Sequence, residues 1–592
     1  MWSWFLARLK GILNLFASLI IFLVLLTLIS SVIGIFTQPR LPSDMVLTVD
    51  LRKRLPDSKP NSIFADEHAV NSVIDVVTAL ASAEKDARVK GLFMRVGGGG
   101  ISSSEAQEIR AALKAFKAKG KFVIAHAQAF YSGGMGDYLL SSIADEIWMQ
   151  PVSEMSTTGV STETMFFRGL LDKINAVPQF EQRYEYKNAA NIYTEKDYTQ
   201  WHREATTRLL ESVFESATTA IAADRKQTRD QVVALINGAP YLTQEAIDQK
   251  LVDKQGYDDE AQAAALAKAG DKAELKTLSE YFAIAGSPWQ HPGSPAIAFI
   301  HGDGQINDGR SQGGGFGGDS SIGGDTLAKA FRDATEDDDV KAILFRVNSP
   351  GGSALASDQI LDAIKKAQKA GKKVVVSMGD VAASGGYYVS LSADKIFAHE
   401  TTITGSIGVL SGKIVTVGSW AMLGIDVKSI GVGANALMQS DNQPFTPEQL
   451  DKFRHGIDQI YADFTAKVAA GRKLDVEKVR EMARGRVWSG ADAKARGLVD
   501  EFGGFRAALE ATKAMAGIPA DSEINLIRYP RKRSPFEEVA EMFGTSAEVV
   551  RTISILSEIT GTQPVSELRH MIRDEASQGQ APQMRTAAQP VR

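Results

Sequence analysis

One long sequence pattern occurs twice in this chain, and the repeat constrains the fold more than any other feature. The apolar segment Val89–Val96 returns as Val340–Val347, 251 positions later (340 minus 89). The correspondence continues downstream, where Leu251–Asp253 matches Leu498–Asp500. We interpret it as an internal duplication, because a chance motif would not recur at nearly the same offset, 251 positions for the first match and 247 (498 minus 251) for the second. Differences between the two copies therefore indicate where the chemistry lies.

Each copy alternates short apolar strands with amphipathic helices. In copy two, the pattern predicts a strand at Ala342–Phe345, a helix at Ser357–Ala370 and a further strand at Val374–Val376. Strands separated by helices of this length imply crossover connections and a largely parallel sheet. The segment Gly286–Pro295 is rich in glycine and proline and joins the two copies. The sequence therefore predicts two α/β domains.

Composition excludes several classes of protein. A net charge of −5 over 592 residues gives no basic field for nucleic acid, so we expect no nucleic-acid partner. The absence of cysteine excludes disulfides, a thiol nucleophile and a cysteine-ligated zinc site. We expect neither a metal ion nor a cofactor.

The N-terminal region contains an uncharged apolar stretch, Gly11–Phe36. It is long enough to span a hydrocarbon core of ~30 Å, whereas the apolar region of a signal peptide is shorter, at roughly 7–15 residues. Arg8 and Lys10 precede it, which favours a cytoplasmic N-terminus and a translocated remainder. The sequence therefore predicts an uncleaved membrane anchor.

Three turns of copy two place small residues where parallel strands end. The first, Asn348–Ser353, has two glycines, Gly351 and Gly352, before a helix. Backbone N–H groups at such a turn can approach a ligand closely and favour an oxyanion. Ser384 lies among small residues at the next strand-to-helix turn, and Ser406 lies on a third. Because ligands bind at the carboxyl edge of such sheets, Ser384 is a candidate nucleophile.

A serine nucleophile needs a general base. None of the eight histidines lies in a recognisable Ser-His-Asp pattern, although such a site stays open. A lysine can serve if burial lowers its pKa so that the neutral amine is populated. Copy two has no lysine between Lys428 and Lys452, whereas copy one has Lys187 at the corresponding place. Taken alone Lys187 reads as a surface charge, but the duplication favours it as the base that copy two lacks.

Copy one, conversely, lacks the glycine turn. Its equivalent of Asn348–Ser353 is Gly97–Ser102, which has no proline. It keeps Ser132 in a Tyr-Ser-Gly-Gly sequence, so Ser132 is a rival nucleophile. We favour Ser384, because only Ser384 has a neighbouring turn suited to an oxyanion hole. The alternative for Ser384 is a serine selected for its small size at a tight helix start.

On the motifs Asn348–Ser353, Ala383–Tyr387 and Thr404–Gly408, the chain resembles the signal peptide peptidase A (protease IV) family in its long, membrane-anchored, duplicated form. The resemblance extends from the anchor to about residue 520. It implies an α/β fold of tandem duplicated ClpP/crotonase-like domains preceded by one transmembrane helix. It also implies a serine protease with a serine–lysine dyad.

The resemblance assigns a role to each candidate residue. Ser384 matches the family nucleophile and Lys187 the general base, while the amides of Gly351 and Gly352 would form the oxyanion hole. Ser406 would orient the lysine. One position departs from the long form of the family, which often has serine after the lysine where this chain has Asn188.

Substrate, partners and location follow from the same resemblance. It implies cleavage of signal-peptide remnants and other hydrophobic peptides, contact with membrane lipid, and a homo-oligomer, a tetramer in the family. It further implies a single-pass protein of the cell inner membrane with its catalytic domains on the periplasmic side.

We divide the chain into six predicted segments. They are the N-terminus and anchor (1–40), the copy that supplies the lysine (41–285), a linker (286–296), the copy that supplies the serine (297–520), a helical extension (521–576) and a disordered tail (577–592).

Two other functions stay open at this point. The same fold class includes acyl-CoA enzymes that use an oxyanion hole without a serine nucleophile. The second alternative is a catalytically inactive scaffold that holds membrane peptides. The anchor, the candidate nucleophile and the separate lysine favour the protease.

Overall fold

The computed structural model describes residues 40–59, 69–131, 135–311 and 321–531. The candidate anchor, Ser132, the glycine-rich segment 313–318 and everything after residue 531 lie outside the described residues. Apart from Arg531, the described residues belong to one compact unit. Within them, no helix combines the length and the apolar character needed to cross a membrane.

The first sheet is built from copy one and has six strands, all paired in parallel. In spatial order the strands are Lys254–Gln255, Glu146–Met149, Phe122–Ala127, Val89–Val96, Met45–Asp50 and Glu274–Thr277. The central strands are almost continuously apolar because helices cover both faces of a parallel sheet.

The second sheet is built from copy two and has eight strands. The main path runs through Val487–Ser489, Ile403–Gly405, Lys373–Ala383, Val340–Ser349, Ala296–Asp303 and Asn525–Tyr529, and Lys395–Ala398 and Glu501–Phe502 branch from it. The pairing of Val487–Ser489 with Ile403–Gly405 is antiparallel, and the others are parallel. Strand Asn525–Tyr529 lies beyond the predicted end of copy two at residue 520.

Helices connect and cover the strands. In copy one they are Val73–Ala83, Ser103–Ala118, Met135–Ser141, Arg168–Lys173, Asn191–Thr194, Gln200–Arg225, Arg229–Gly238, Thr243–Asp248, Asp258–Ala269 and Leu278–Ala285, with a 3₁₀ turn at Asn188–Ala190. In copy two they are Gly324–Glu336, Ala354–Lys369, Gly385–Tyr388, Val417–Met422, Pro447–Arg472, Val476–Met482, Gly490–Ala495 and Phe505–Met515. Two small ribbons pair Glu154–Met155 with Tyr241–Leu242 and Gln305–Asn307 with Ser321–Gly323.

The helix predicted at Ser357–Ala370 begins earlier, at Ala354. Ser353 caps it, since its side chain accepts a hydrogen bond from the backbone N–H of Ala356. A capping serine satisfies one of the free N–H groups of the first turn and so fixes where the helix starts. Ser353 directly follows Gly351 and Gly352, so the cap holds the glycine turn against the start of the helix.

Matching details in the two copies support the duplication. Each copy has a helix of 26 residues, Gln200–Arg225 and Pro447–Arg472, that follows a capping threonine. Both helices end at a lysine in the left-handed conformation, Lys226 with φ 54° and Lys473 with φ 55°. Equivalent residues therefore perform the same local task in each copy.

The two copies share a hydrophobic core. Residues of the second sheet such as Phe299, Leu344 and Phe397 are buried in the same cluster as the helices of copy one. Helix Phe505–Met515 also joins this cluster, although it comes from the end of copy two. Since burial of apolar area is the main stabilising term, the copies hold each other in place.

A buried charge cluster also links the copies. Arg346 of copy two donates hydrogen bonds to Asp57 and, at 2.8 Å, to Glu108, both from copy one. Although burial raises the pKa of Glu108, the charges of Arg346 and His399 lower it to about 2. The cluster is therefore ionised at neutral pH, and removing one partner would leave an unpaired buried charge.

Candidate active site

A two-stranded antiparallel ribbon brings the copy-one lysine into copy two. Strand Val177–Arg183 pairs with Val409–Val415, with Arg183 opposite Val409. Lys187 comes shortly after the first strand, and Ser406 comes shortly before the second. The antiparallel pairing therefore sets these two residues side by side at one end of the ribbon.

The Lys187 side chain reaches three oxygen atoms in copy two. Its Nζ lies 3.0 Å from Ser384 Oγ, 3.0 Å from the carbonyl oxygen of Ser406 and 2.9 Å from Ser406 Oγ. Lys187 is only 7% exposed. The structure thus brings together the three side chains that the sequence singled out from different turns and different copies.

Burial governs the charge of this lysine. Loss of hydration lowers the pKa of Lys187 from 10.5 to about 8, and no charged neighbour contributes to the shift. A buried ammonium without a carboxylate partner is unfavourable, so the neutral amine becomes accessible near neutral pH. The neutral amine has a lone pair, and general-base chemistry requires that lone pair.

Ser384 lies on a strained turn between strand Lys373–Ala383 and the short helix Gly385–Tyr388. Its φ is 53° and its ψ is −116°, a conformation that is uncommon for residues other than glycine. The backbone N–H of Ser384 donates to the carbonyl oxygen of Gly405 at 2.9 Å. This geometry resembles the strand-to-helix elbow on which α/β-hydrolases present a nucleophile.

The glycine turn packs directly on the Ser384 turn. Gly351 has φ 107°, and a Cβ at this position would lie 2.7 Å from the backbone N of Gly385 and 2.8 Å from Ser384 Cβ. A Cβ at Gly352 would lie 2.0 Å from the carbonyl oxygen of Ile306. Both positions therefore require glycine, and the requirement keeps backbone amides close to the serine.

Two backbone N–H groups near Ser384, those of Gly351 and Gly385, differ in whether they already have a hydrogen-bond acceptor. The Gly351 N–H donates to Ser349 Oγ at 3.1 Å, so it is engaged in this structure. Gly385 heads a short helix, and first-turn N–H groups have no acceptor within their helix. The Gly385 amide is a further candidate oxyanion donor, in addition to the predicted Gly351 and Gly352, and a nucleophile elbow places a donor at the residue after the serine.

A turn of copy two supports the lysine from the other side. Gly485 has φ 82°, and a Cβ there would lie 2.4 Å from Lys187 Cβ. The same turn receives a hydrogen bond of 2.7 Å from the Ser406 N–H to the carbonyl oxygen of Arg486. No sequence motif indicates this support, because it depends on a contact between distant segments.

Two of the eight histidines have carboxylate hydrogen-bond partners. His301 Nε2 lies 3.2 Å from Asp57 Oδ2, and His399 Nε2 lies 3.0 Å from Glu108 Oε2. Both carboxylates belong to the buried cluster between the copies. Among the described residues, Lys187 is the side chain that hydrogen-bonds to Ser384.

The equivalent position in copy one does not hold a serine. The hydroxyl of Tyr138 donates to the carbonyl oxygen of Leu251, as that of Tyr387 does to Leu498 at 3.0 Å, so the two tyrosines correspond. The residue three positions before each tyrosine is Ser384 in copy two and Met135 in copy one, so Met135 corresponds to Ser384. Ser132, the rival nucleophile, comes before Met135 and lies outside the described residues.

A carboxylate occupies the copy-one turn that corresponds to the glycine turn. Asp137 Oδ1 accepts the N–H of Gly97 at 3.0 Å, and backbone N–H groups of Gly98, Gly99 and Ile101 also point at this carboxylate. Burial raises the pKa of Asp137, which these hydrogen bonds partly offset. The turn keeps its anion-binding geometry but is filled from within the chain.

The site assembles a hydroxyl, a buried amine and backbone amides at one sheet edge. Within the residues that the structure describes, no three His, Asp or Glu side chains cluster as metal ligands would. The arrangement suits nucleophilic acyl transfer.

Comparisons with known proteins agree with this chemistry. Residues 115–272 and 366–518 match the profile of peptidase family S49, one stretch in each copy. Protease 4 of Haemophilus influenzae is 30% identical over 532 residues, which is 85% of this chain and 84% of that protein. Protease 4 of Salmonella typhi is 34% identical over 454 residues, 74% of this chain and 71% of its own length.

A shorter relative matches part of the chain. It is described as a putative signal peptide peptidase SppA of Enterococcus faecium, and it is 33% identical over 231 residues, 38% of this chain and 66% of that protein. Among solved structures, a ClpP1 mutant from Listeria monocytogenes covers 36% of this chain and 94% of its own at 17% identity, with a TM-score of 0.23. A TM-score this low does not establish a common fold. By its two matched stretches and its relatives, this chain belongs to peptidase family S49 and is a serine protease.

Proposed function

We propose that this serine protease is a membrane-anchored endopeptidase in which Ser384 attacks the peptide carbonyl and Lys187 is the general base. The observation that carries the proposal is the distance of 3.0 Å between Lys187 Nζ and Ser384 Oγ, at a lysine that is 7% exposed. We also assign both copies to the ClpP/crotonase-like class, which the motif Asn348–Ser353 supports for copy two and the internal duplication supports for copy one.

The contacts of Lys187 match the valence of a neutral amine. A neutral amine has two N–H donors and one lone pair. Its donors can go to the carbonyl oxygen and the hydroxyl of Ser406, at 3.0 and 2.9 Å. The lone pair then faces the hydroxyl of Ser384, which donates its proton. Ser406 therefore orients the base, as the family resemblance implies.

The first half of the reaction follows from this geometry. Lys187 takes the proton of Ser384 as Oγ bonds to the carbonyl carbon of the substrate. The resulting oxyanion accepts hydrogen bonds from the backbone amides of Gly352 and Gly385, and from that of Gly351 once this N–H leaves Ser349 Oγ. When the C–N bond breaks, protonated Lys187 donates its proton to the leaving amine, and an acyl ester remains on Ser384.

The second half repeats the cycle with water. Lys187 removes a proton from water as the water oxygen bonds to the ester carbonyl carbon. Collapse of this intermediate breaks the bond to Ser384 Oγ, which recovers its proton from Lys187. The products are a peptide with a free carboxylate and a peptide with a free amine.

We propose signal-peptide remnants and other hydrophobic peptides as the substrates. The motifs of the site and the name of the Enterococcus faecium relative support this choice. The uncharged stretch 11–36 supports an anchor in the cell inner membrane, with the catalytic domains on the periplasmic side and membrane lipid as a partner. We further propose a homo-oligomer, a tetramer, by resemblance to the family.

Hydrolysis of a synthetic signal peptide by two serine variants tests the nucleophile. Ser384→Ala should lower kcat by ~10³-fold or more, because covalent catalysis is lost. Ser132→Ala is the matched control and should keep near-normal turnover. If Ser132→Ala is the inactive variant, copy one supplies the nucleophile and the proposal is wrong.

Removal of residues 1–40 tests the anchor separately. Both copies begin after this stretch, so the shortened chain should leave the membrane fraction and still hydrolyse the peptide. A shortened chain that stays in the membrane fraction would contradict the role of residues 1–40 as the anchor. The hydrolysis assay with the serine variants tests the nucleophile independently of this result.

A further inference from the structure

The ribbon that brings Lys187 to Ser384 also joins the two copies. Strand Val177–Arg183 comes from copy one and strand Val409–Val415 from copy two, and the two pair antiparallel along their full length. We call this pair the internal ribbon. Because the chain is a duplication, each strand of the internal ribbon has a counterpart in the other copy. These two counterparts take no part in the internal ribbon.

Local structure fixes where the counterparts lie. Helices Arg168–Lys173 and Val417–Met422 have six residues each and begin 249 positions apart (417 minus 168). A residue with positive φ follows each helix, Asn175 at 51° and Gly424 at 73°, and these two are also 249 positions apart. The offset of 249 therefore holds throughout this part of the two copies.

The counterparts are two segments without a strand partner. At the offset of 249, residues 160–166 correspond to Val409–Val415, and residues 426–432 correspond to Val177–Arg183. We call 160–166 and 426–432 the free segments. Within the described part of the chain, neither belongs to a strand, and neither forms a hydrogen bond to other backbone. Unpaired backbone groups of this kind can pair with another chain.

The free segment of copy two has apolar side chains where the internal ribbon has charged ones. Glu181 and Arg183 form ion pairs with residues of helix Pro447–Arg472. Their counterparts, 249 positions later, are Ile430 and Val432, which are 95% and 96% exposed. Apolar side chains this exposed gain free energy when another surface covers them.

Two glycines show that copy one has an open position at the same place. Gly418 packs against copy one, since a Cβ there would lie 2.5 Å from the carbonyl oxygen of Asn175. Its counterpart is Gly169, and a Cβ there would have nothing within 4 Å. Met165, in the free segment of copy one, is 73% exposed. Copy one is therefore open where copy two is covered by copy one.

We propose that a second copy of this chain covers the free segments, so that 426–432 of one chain pairs antiparallel with 160–166 of the next. The internal ribbon sets the register. Ser411 lies opposite Glu181, so Thr162 would lie opposite Ile430 of the neighbouring chain. Each chain has one free segment of each kind, and head-to-tail contacts of this type build a ring when the rotation closes. The choice of partner rests on the proposed homo-oligomer as well as on the duplication.

This joint between chains would contain no second dyad. Met135 stands in copy one where copy two has Ser384, and Ala436 stands 249 positions after Lys187 (436 minus 187). The joint therefore serves assembly, and the number of active sites stays at one per chain.

Cysteine cross-linking in membranes tests the joint, because the chain has no cysteine of its own. Full-length chains with Thr162→Cys and with Ile430→Cys are coexpressed and oxidised with copper phenanthroline. Facing positions of an antiparallel ribbon are close enough for a disulfide. We expect at least about tenfold more cross-linked dimer from the coexpressed pair than from either variant alone.

Lys341→Cys coexpressed with Ile430→Cys is the matched control, since Lys341 is exposed and lies outside the free segments. This pair should give no more dimer than Ile430→Cys alone. Absence of a cross-link between positions 162 and 430 would overturn the proposal. So would an equally abundant dimer from Ile430→Cys alone, which would indicate a two-fold contact instead.

Sedimentation of the full chain in detergent separates this joint from the homo-oligomer itself. Ile430→Asp combined with Val432→Asp should give single chains at a concentration where the wild type is oligomeric, because it would bury unpaired charge in the joint. Lys341→Asp should keep the wild-type mass. An oligomer that the double substitution leaves intact would overturn the joint alone, whereas a wild type that sediments as a single chain would overturn the homo-oligomer as well. Hydrolysis by the serine variants tests the protease independently of both results.

Discussion

The depressed pKa of Lys187 makes a quantitative prediction about the pH dependence of hydrolysis. With a pKa of about 8, roughly 9% of the lysine is neutral at pH 7 and roughly 1% at pH 6. At the ordinary value of 10.5 the neutral fraction at pH 7 would be only about 0.03%. Burial therefore raises the reactive fraction by about 300-fold at pH 7.

The assay is kcat/KM for a signal peptide between pH 5.5 and 9.5, because this parameter reports pKa values of the free enzyme. We expect a rise of about tenfold per pH unit below pH 7 and a plateau above pH 8.5. Lys187→Met should abolish turnover, and Lys187→Arg should fail as well, since a guanidinium does not deprotonate. The fold of both variants is checked by circular dichroism.

The lowered pKa of Lys187 also predicts how the free energy of unfolding depends on pH. The native state binds fewer protons than the unfolded state between about pH 8 and pH 10.5. Lys187 therefore lowers the free energy of unfolding least above this pH window. Its cost grows as pH falls through the window and reaches about 3 kcal/mol below pH 8. Lys187→Met should therefore be more stable than the wild type at pH 7, an advantage that shrinks towards pH 10.5.

Two results would refute this reasoning. The first is near-normal turnover by Lys187→Arg. The second is a pH profile whose rising limb moves when one of the histidines is replaced by glutamine, because the base would then be a histidine.

Three further predictions concern the surroundings of the dyad. Gly351→Ala should lower kcat by ~100-fold or more, because the new Cβ clashes with the Ser384 turn. The control Gly371→Ala, at φ 88° with nothing within 4 Å of its Cβ, should keep most activity. Comparable losses would mean that backbone strain at a positive φ, and not the clash, lowers kcat. Ser406→Ala should lower kcat by about tenfold, since the base loses one orienting hydrogen bond, and unchanged kcat would remove Ser406 from the mechanism. Arg346→Met should lower the free energy of unfolding by ~3 to 5 kcal/mol in urea titrations, because it leaves buried carboxylates unpaired. Lys341→Met, at an exposed position, should change the free energy of unfolding little. Equal effects would contradict a stabilising role of the buried charge cluster.

The sequence predicted the parts of the fold that repeat a local pattern. The alternation of strands and helices in copy two, and the glycine turn before a helix, follow from periodicity and capping. The assignment of Ser384 and Lys187 rested on comparing the copies, since neither residue is distinctive alone. The family itself was recognised from the three turns, and the match to peptidase family S49 confirms it.

Other features depend on contacts between distant segments and could not be predicted. The turn at Gly485 touches Lys187 from nearly 300 positions away (485 minus 187 is 298), and no local pattern signals it. Likewise, Asp137 fills the copy-one turn because a carboxylate, which is no part of the repeated motif, follows Met135. The short strand Asn525–Tyr529 lacks a distinctive pattern, and only its pairing with Ala296–Asp303 defines it.

The central claim is that a lysine from one copy activates a serine in the other, and active-site labelling tests it most directly. The full chain in detergent is treated with a fluorophosphonate, and the adduct is located by peptide mass spectrometry. We predict one adduct per chain, on Ser384, with labelling reduced by at least ~100-fold in Lys187→Met. An adduct on Ser132, or undiminished labelling of Ser384 in Lys187→Met, would contradict the account.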